Sequence, residues 1–180
     1  MTSKLLLFSA LHKRHIGVTE GVAKNYSEAV RVCLDRHHSS PVEFALTDNQ
    51  KQDRAQAQWI ATDDRTKNAW ANKDDATRDG AYGMSLAAVE LLRGFVAVSR
   101  AETRTGADYY LAEPGTTSDD LEATYRLEVS GTDEGNETAL FARLRQKLDQ
   151  ARKGNSNLPA IASVVGFRVL RVVNADLVAE

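Results

Sequence analysis

Apolar runs alternate with polar stretches along the chain, and the runs follow two different periods. LLLFSAL, within Lys4–Leu11, is a continuous apolar run of the kind a buried strand shows. A basic loop follows, in which His12 and His15 flank Lys13 and Arg14. Ser27 has the chemistry of an N-cap, and Ala29, Val30, Cys33 and Leu34 recur on one face, which predicts a helix over Glu28–His38. Pro41 stops it, and VEFALT at Val42–Thr47 reads as the next strand, so residues 1–47 form a strand–helix–strand unit. Gln56–Thr62 predicts another strand, while Asp63–Ala81 is polar enough to be a solvated connection with short helix ends.

The second half is more regular. Ser85 is placed to cap a helix over Leu86–Thr103, with Leu86, Val89, Leu92 and Val96 on one face and Leu91, Phe95 and Val98 widening the stripe. Asp108–Ala112 and Leu121–Ser130 predict a hairpin-like pair of strands around the polar turn Glu113–Asp120. Within the second strand Tyr125, Leu127 and Val129 alternate with Arg126, Glu128 and Ser130, so the latter three share a face. Asn136 caps an expected helix over Glu137–Lys153, with Leu140, Phe141, Leu144, Leu148 and Ala151 as its apolar positions. Ile161–Val173 reads as one or two buried strands. The sum is an α/β (α+β) fold, a central mixed β-sheet flanked by helices. Residues 1–83 supply an N-terminal elaboration with a polar connection and 84–180 the core, together one compact domain.

Composition narrows the function classes. A length of 180 residues suffices for a sizeable core, and a net charge of −2 argues against a protein that wraps DNA by bulk electrostatics. The single cysteine, Cys33, rules out an intrachain disulfide framework and fits a reducing compartment. The N-terminal apolar run is too short for a membrane span and has no small-residue cleavage site. A cytoplasmic protein without a membrane partner is expected.

The candidate chemistry lies in the two acids that interrupt strand-like runs, Asp108 and Glu128. A buried carboxylate is costly unless paired, hydrogen-bonded or bound to a metal, and two on neighbouring strands can share one divalent cation. Other candidates have simpler readings. Lys13 and Arg14 suit a solvated loop, and His37 and His38 suit the end of a helix. The Asp63/Asp64 and Asp74/Asp75 pairs suit helix ends, and Trp59 and Trp70 suit anchors of a satellite core.

A helix glutamate (Glu90), a strand acid (Asp108), a second strand acid twenty residues on (Glu128) and a glycine shortly after it (Gly131) together resemble the restriction-endonuclease-like PD-(D/E)xK superfamily. The resemblance covers about Ser85–Val173. It implies a four-stranded mixed sheet with flanking helices and a Mg²⁺ or Mn²⁺ ion held by Glu90, Asp108 and Glu128. It further implies hydrolysis of nucleic-acid phosphodiesters, as one component of a DNA-processing or defence system whose specificity a protein partner supplies. The chain departs from the family pattern at Ser130, where a lysine would help activate water. Lys147 on the following helix is the best substitute, ahead of Arg145 and Gln146, which would make Asp108, Glu128 and Lys147 the catalytic set. The competing readings are a catalytically silent restriction-endonuclease-like module that binds a protein or nucleic acid, and an unrelated α/β protein in which Asp108 and Glu128 are structural.

Overall fold

Residues 3–178 are described by a computed structural model and hold four α-helices and seven strands. In chain order these are α1 (Glu20–Asp35), β1 (Val42–Asp48), β2 (Lys51–Ala57), α2 (Asp64–Ala69), α3 (Lys73–Arg93), β3 (Val96–Arg100), β4 (Tyr109–Ala112), β5 (Tyr125–Thr132), α4 (Glu137–Lys153), β6 (Ala160–Gly166) and β7 (Arg171–Asp176). The strands form one mixed sheet in the spatial order β2-β1-β7-β6-β5-β4-β3. β3, β4 and β5 are an antiparallel meander, α4 crosses over to a parallel β6, and β7 returns antiparallel. β1 pairs parallel to β7 and brings the β1–β2 hairpin into the same sheet.

Period-two alternation gives the sheet two apolar faces. Leu127, Val129, Ile161, Val165 and Val172 pack in the larger core, with α3 and α1 stacked over them. Ala162, Val164 and Val173 face the other way and meet Leu140 and Leu144 of α4. Gly131 sets how closely α3 lies on β5. A Cβ there would stand 2.9 Å from the Thr77 carbonyl oxygen and 2.8 Å from the Ala81 Cβ.

Several expected elements shift, each for a physical reason. The helix expected at Glu28–His38 starts at Glu20, where the Thr19 hydroxyl accepts from the Val22 N–H. The strand expected over Lys4–Leu11 is an extended segment joined to the sheet by a single bridge, Leu5 to Gln56; Leu6 and Phe8 point inward and Leu5 and Leu7 outward. The strand expected at Gln56–Thr62 lies earlier, as β2, because the turn at Asn49 folds Lys51–Ala57 back on β1. The helix expected over Leu86–Thr103 begins at Lys73, capped by the Asn72 side chain, and ends at Gly94 in a left-handed conformation (φ 70°). Its remaining residues form β3. The boundary expected between residues 83 and 84 therefore falls inside α3. α4 runs over Glu137–Lys153 with Asn136 as its cap, as its pattern predicts. No helix among the described residues is long and apolar enough to cross a membrane.

Candidate active site

The β4–β5 pairing ends at Tyr109 opposite Leu127, so beyond Leu127 the edge of β5 that β4 would cover has no strand partner. Asp108 stands at this parting point. Its own N–H donates to the Leu127 carbonyl, and its Oδ2 accepts from the Val129 N–H at 2.8 Å, so the carboxylate replaces the next rung of the ladder. Oδ1 accepts from the Tyr82 hydroxyl of α3, also at 2.8 Å. Behind Tyr82, Arg100 donates to the phenol oxygen at 3.3 Å and lies over the rings of Tyr82 and Tyr109. Burial, and after it the Asp108 charge, push the Tyr82 hydroxyl up to about 12. It is therefore a fixed donor to Asp108 at neutral pH.

Glu128 lies across from Asp108 on β5, on the face that carries α4. The Tyr109–Leu127 pairing sets the two residues side by side at the strand edge, close enough for the Asp108 charge to act on Glu128. Lys147 of α4 donates to Glu128 Oε2 at 3.0 Å. Glu128 is 8 % exposed, and its carboxyl is held above the usual range by burial first and by Asp108 second, with Lys147 opposing both. Arg126, two residues earlier on the same face, is buried and ties the site together. It donates to the carbonyls of Ala151 (2.9 Å), Thr105 (3.0 Å) and Leu158 (3.0 Å), fixing the end of α4 on β5.

A cavity of about 720 Å³ opens around the free edge of β5, between the first turns of α3 and the middle of α4. Asp108, Ser130 and Lys147 line it, with Tyr82, Arg78 and Arg143. The structure thus brings together Asp108, Glu128 and Lys147.

Glu90 is not with them. Its carboxylate accepts from Arg14 Nε at 2.7 Å and meets His15 Nε2 at 3.0 Å. Because α3 starts at Lys73, the part of the helix that reaches the carboxylates is Thr77–Tyr82, and Glu90 lies roughly 12 Å further along the axis. Among the described residues no group of three or more His, Cys, Asp or Glu side chains is arranged to hold a metal. The helix acid expected as a third ligand is therefore a structural residue that anchors the N-terminal segment.

The remaining candidates resolve into structural roles. Arg14 also donates to the backbone oxygens of Leu7 and Ala10, so it is not a free cationic patch. His37 meets Asp133 at 2.9 Å, and His38 meets the Phe167 carbonyl oxygen at 3.0 Å. Trp59 and Trp70 pack against the larger core and donate to Asp35 and Glu28. Asp63 caps α2, and Asp74 and Asp75 sit in the first turn of α3. Tyr82 and Arg143 carry no sequence signal of their own, since only the packing of α3 and α4 brings them to the cavity.

The site's residues fit a hard divalent cation through two carboxylates. Each oxygen of Asp108 accepts one hydrogen bond and keeps a second lone pair, and Lys147 engages only Oε2 of Glu128. Mg²⁺ is commonly held by one or two carboxylates, with waters and substrate phosphate completing its shell, so a third protein acid is not required. No protein-family model matches the chain, and neither a curated protein nor a solved structure matches it.

Proposed function

We propose that the chain is a metal-dependent phosphodiester hydrolase domain acting on nucleic acid. The observation that carries this reading is the strand pairing that ends with Tyr109 opposite Leu127 and so sets Asp108 beside Glu128 at the open edge of β5, with Lys147 on Glu128, next to a cavity that Asp108 and Lys147 line. The order α3-β3-β4-β5-α4-β6, a four-stranded mixed sheet with a helix on each side, supports the resemblance to the restriction-endonuclease-like superfamily. A bound Mg²⁺ or Mn²⁺ would supply the positive charge that an anionic phosphodiester needs before water attacks it. Tyr82 and the Val129 N–H orient Asp108, while Lys147 holds Glu128 and places a cation where phosphate charge develops. Incubation with labelled DNA and RNA in Mg²⁺ or Mn²⁺ should give cleavage, and Asp108→Ala should reduce it by several orders of magnitude. Cleavage that survives loss of both Asp108 and Glu128 contradicts this assignment.

Ser130 supports a second reading, a catalytically silent module that binds nucleic acid or a protein. In that case the wild type cleaves nothing with either metal, and activity gained only in Ser130→Lys identifies a metal site lacking its cation. A role in DNA processing or defence, with specificity supplied by a protein partner, belongs to the same proposal.

A further inference from the structure

Four cationic side chains line the cavity: Lys73, Arg78, Arg143 and Lys147. Three are neutralised by acids. Lys73 pairs with Glu134 at 3.2 Å, Arg78 with Asp75 at 3.1 Å and Asp79 at 2.9 Å, and Lys147 with Glu128 at 3.0 Å. Among the described residues no carboxylate pairs with Arg143. Its Nη1 lies 3.5 Å from Ser130 Oγ, the next residue after Glu128 on that face of β5. Arg143 also stands one helical turn before Lys147, on the same side of α4. A guanidinium without a carboxylate partner thus lies beside Ser130 on β5, in the cavity that Asp108 and Lys147 also line.

We propose that Arg143 is the phosphate anchor of the cavity, binding a backbone phosphate of a nucleic-acid strand laid along the edge of β5 beside Asp108 and Glu128. The inference rests on the phosphodiesterase reading above and names the residue that holds its substrate. The planar fork of arginine matches phosphate oxygens through two parallel N–H donors, a geometry that a lysine ammonium does not reproduce. The short side chain at Ser130 leaves room for the guanidinium to lie close to the strand. Gln146 and Gln150 line the same wall and add neutral donors. A contact of this kind gives affinity and register without base preference. Arg145 is the internal control: it is exposed on the same helix but does not line the cavity.

The test is fluorescence anisotropy with a labelled single-stranded oligodeoxythymidylate in EDTA, where binding is read without turnover, for the wild type, Arg143→Gln, Arg143→Lys and Arg145→Gln. Arg143→Gln should weaken binding about tenfold and lower the slope of log affinity against log salt by about one. Arg143→Lys should recover part of the affinity, and Arg145→Gln should match the wild type. In the Mg²⁺ cleavage assay Arg143→Gln should raise KM more than it lowers kcat. Wild-type affinity and salt slope in Arg143→Gln overturn the anchor; if the wild type still cleaves, the phosphodiesterase reading stands without it. A wild type that neither binds nor cleaves overturns both.

Discussion

The ammonium of Lys147 reaches Oε2 of Glu128 at 3.0 Å, yet Glu128 still holds its proton more tightly than an exposed glutamate. Burial and the neighbouring Asp108 outweigh the lysine. The folded chain therefore keeps the Glu128 proton to higher pH than the unfolded chain does, where the ordinary value is near 4.5. Without divalent metal, stability should fall as pH rises from that value through the raised one, because the folded state binds more protons there. Glu128→Gln should flatten this slope, and Lys147→Met should extend it to higher pH. Denaturant melts across pH in EDTA check both, and a slope unchanged in Glu128→Gln would contradict the assignment.

His15 should tilt the same curve the other way. Its ring is buried, its Nδ1 accepts from the Ala97 N–H at 2.9 Å, and its Nε2 meets Glu90. Burial lowers its pKa below the ordinary 6.5 despite the carboxylate beside it. The unfolded chain takes up a proton below pH 6.5 before the folded chain does, so stability should drop as pH falls from there. His15→Gln should remove that part of the acid slope, as read from the same series of melts.

Gly131→Ala tests the packing that positions α3. The added methyl would meet the Thr77 carbonyl and the Ala81 side chain inside normal contact distance. Moving α3 away from β5 to accommodate it should cost about 1–3 kcal/mol. The shift should also carry the Tyr82 hydroxyl away from Asp108. Chemical denaturation gives the stability change, and a neutral result would mean that α3 does not bear on β5 at this point.

Much of this arrangement was legible in the sequence, because it depends on local pattern. The period-two alternation of Tyr125–Ser130 put Glu128 on one face, and the stripe of Glu137–Lys153 placed Lys147 beside it. What failed was the stretch from Lys73 to Arg100. Residues 73–79 of α3 are mostly polar and accessible and so read as part of the connection before them, while residues 80–89 and most of β3 are continuously buried and leave no periodic contrast between helix and strand. The punctuation was present, in Asn72 followed by Asp74 and Asp75 at one end and Gly94 before Phe95–Val98 at the other. Those signals set the helix start at Lys73, which carries Glu90 away from the site. Tyr82 and Arg143 answer to no local pattern; their roles come from which helix faces the end of β5.

Arg126 should be the most sensitive structural residue near the site. It is 3 % exposed and satisfies three backbone carbonyls from separate segments. Arg126→Met keeps most of the stem but leaves those oxygens without their donor, at a cost of about 3 kcal/mol. The C-terminal turn of α4 should fray first, which hydrogen exchange at Leu148–Lys153 would detect. Protection there equal to the wild type would show that α4 is held by other contacts.

The central claim is that Asp108 and Glu128 hold one divalent cation between them, and Mn²⁺ titration followed by electron paramagnetic resonance tests it most directly. The wild type should bind Mn²⁺ with a stoichiometry of one, in competition with Mg²⁺, and Asp108→Asn and Glu128→Gln should each abolish that binding while leaving the fold intact by circular dichroism. Glu90→Gln should retain it, since Glu90 sits with Arg14 and His15. Wild-type protein that binds no Mn²⁺, or binding undisturbed by loss of either carboxylate, would contradict the account.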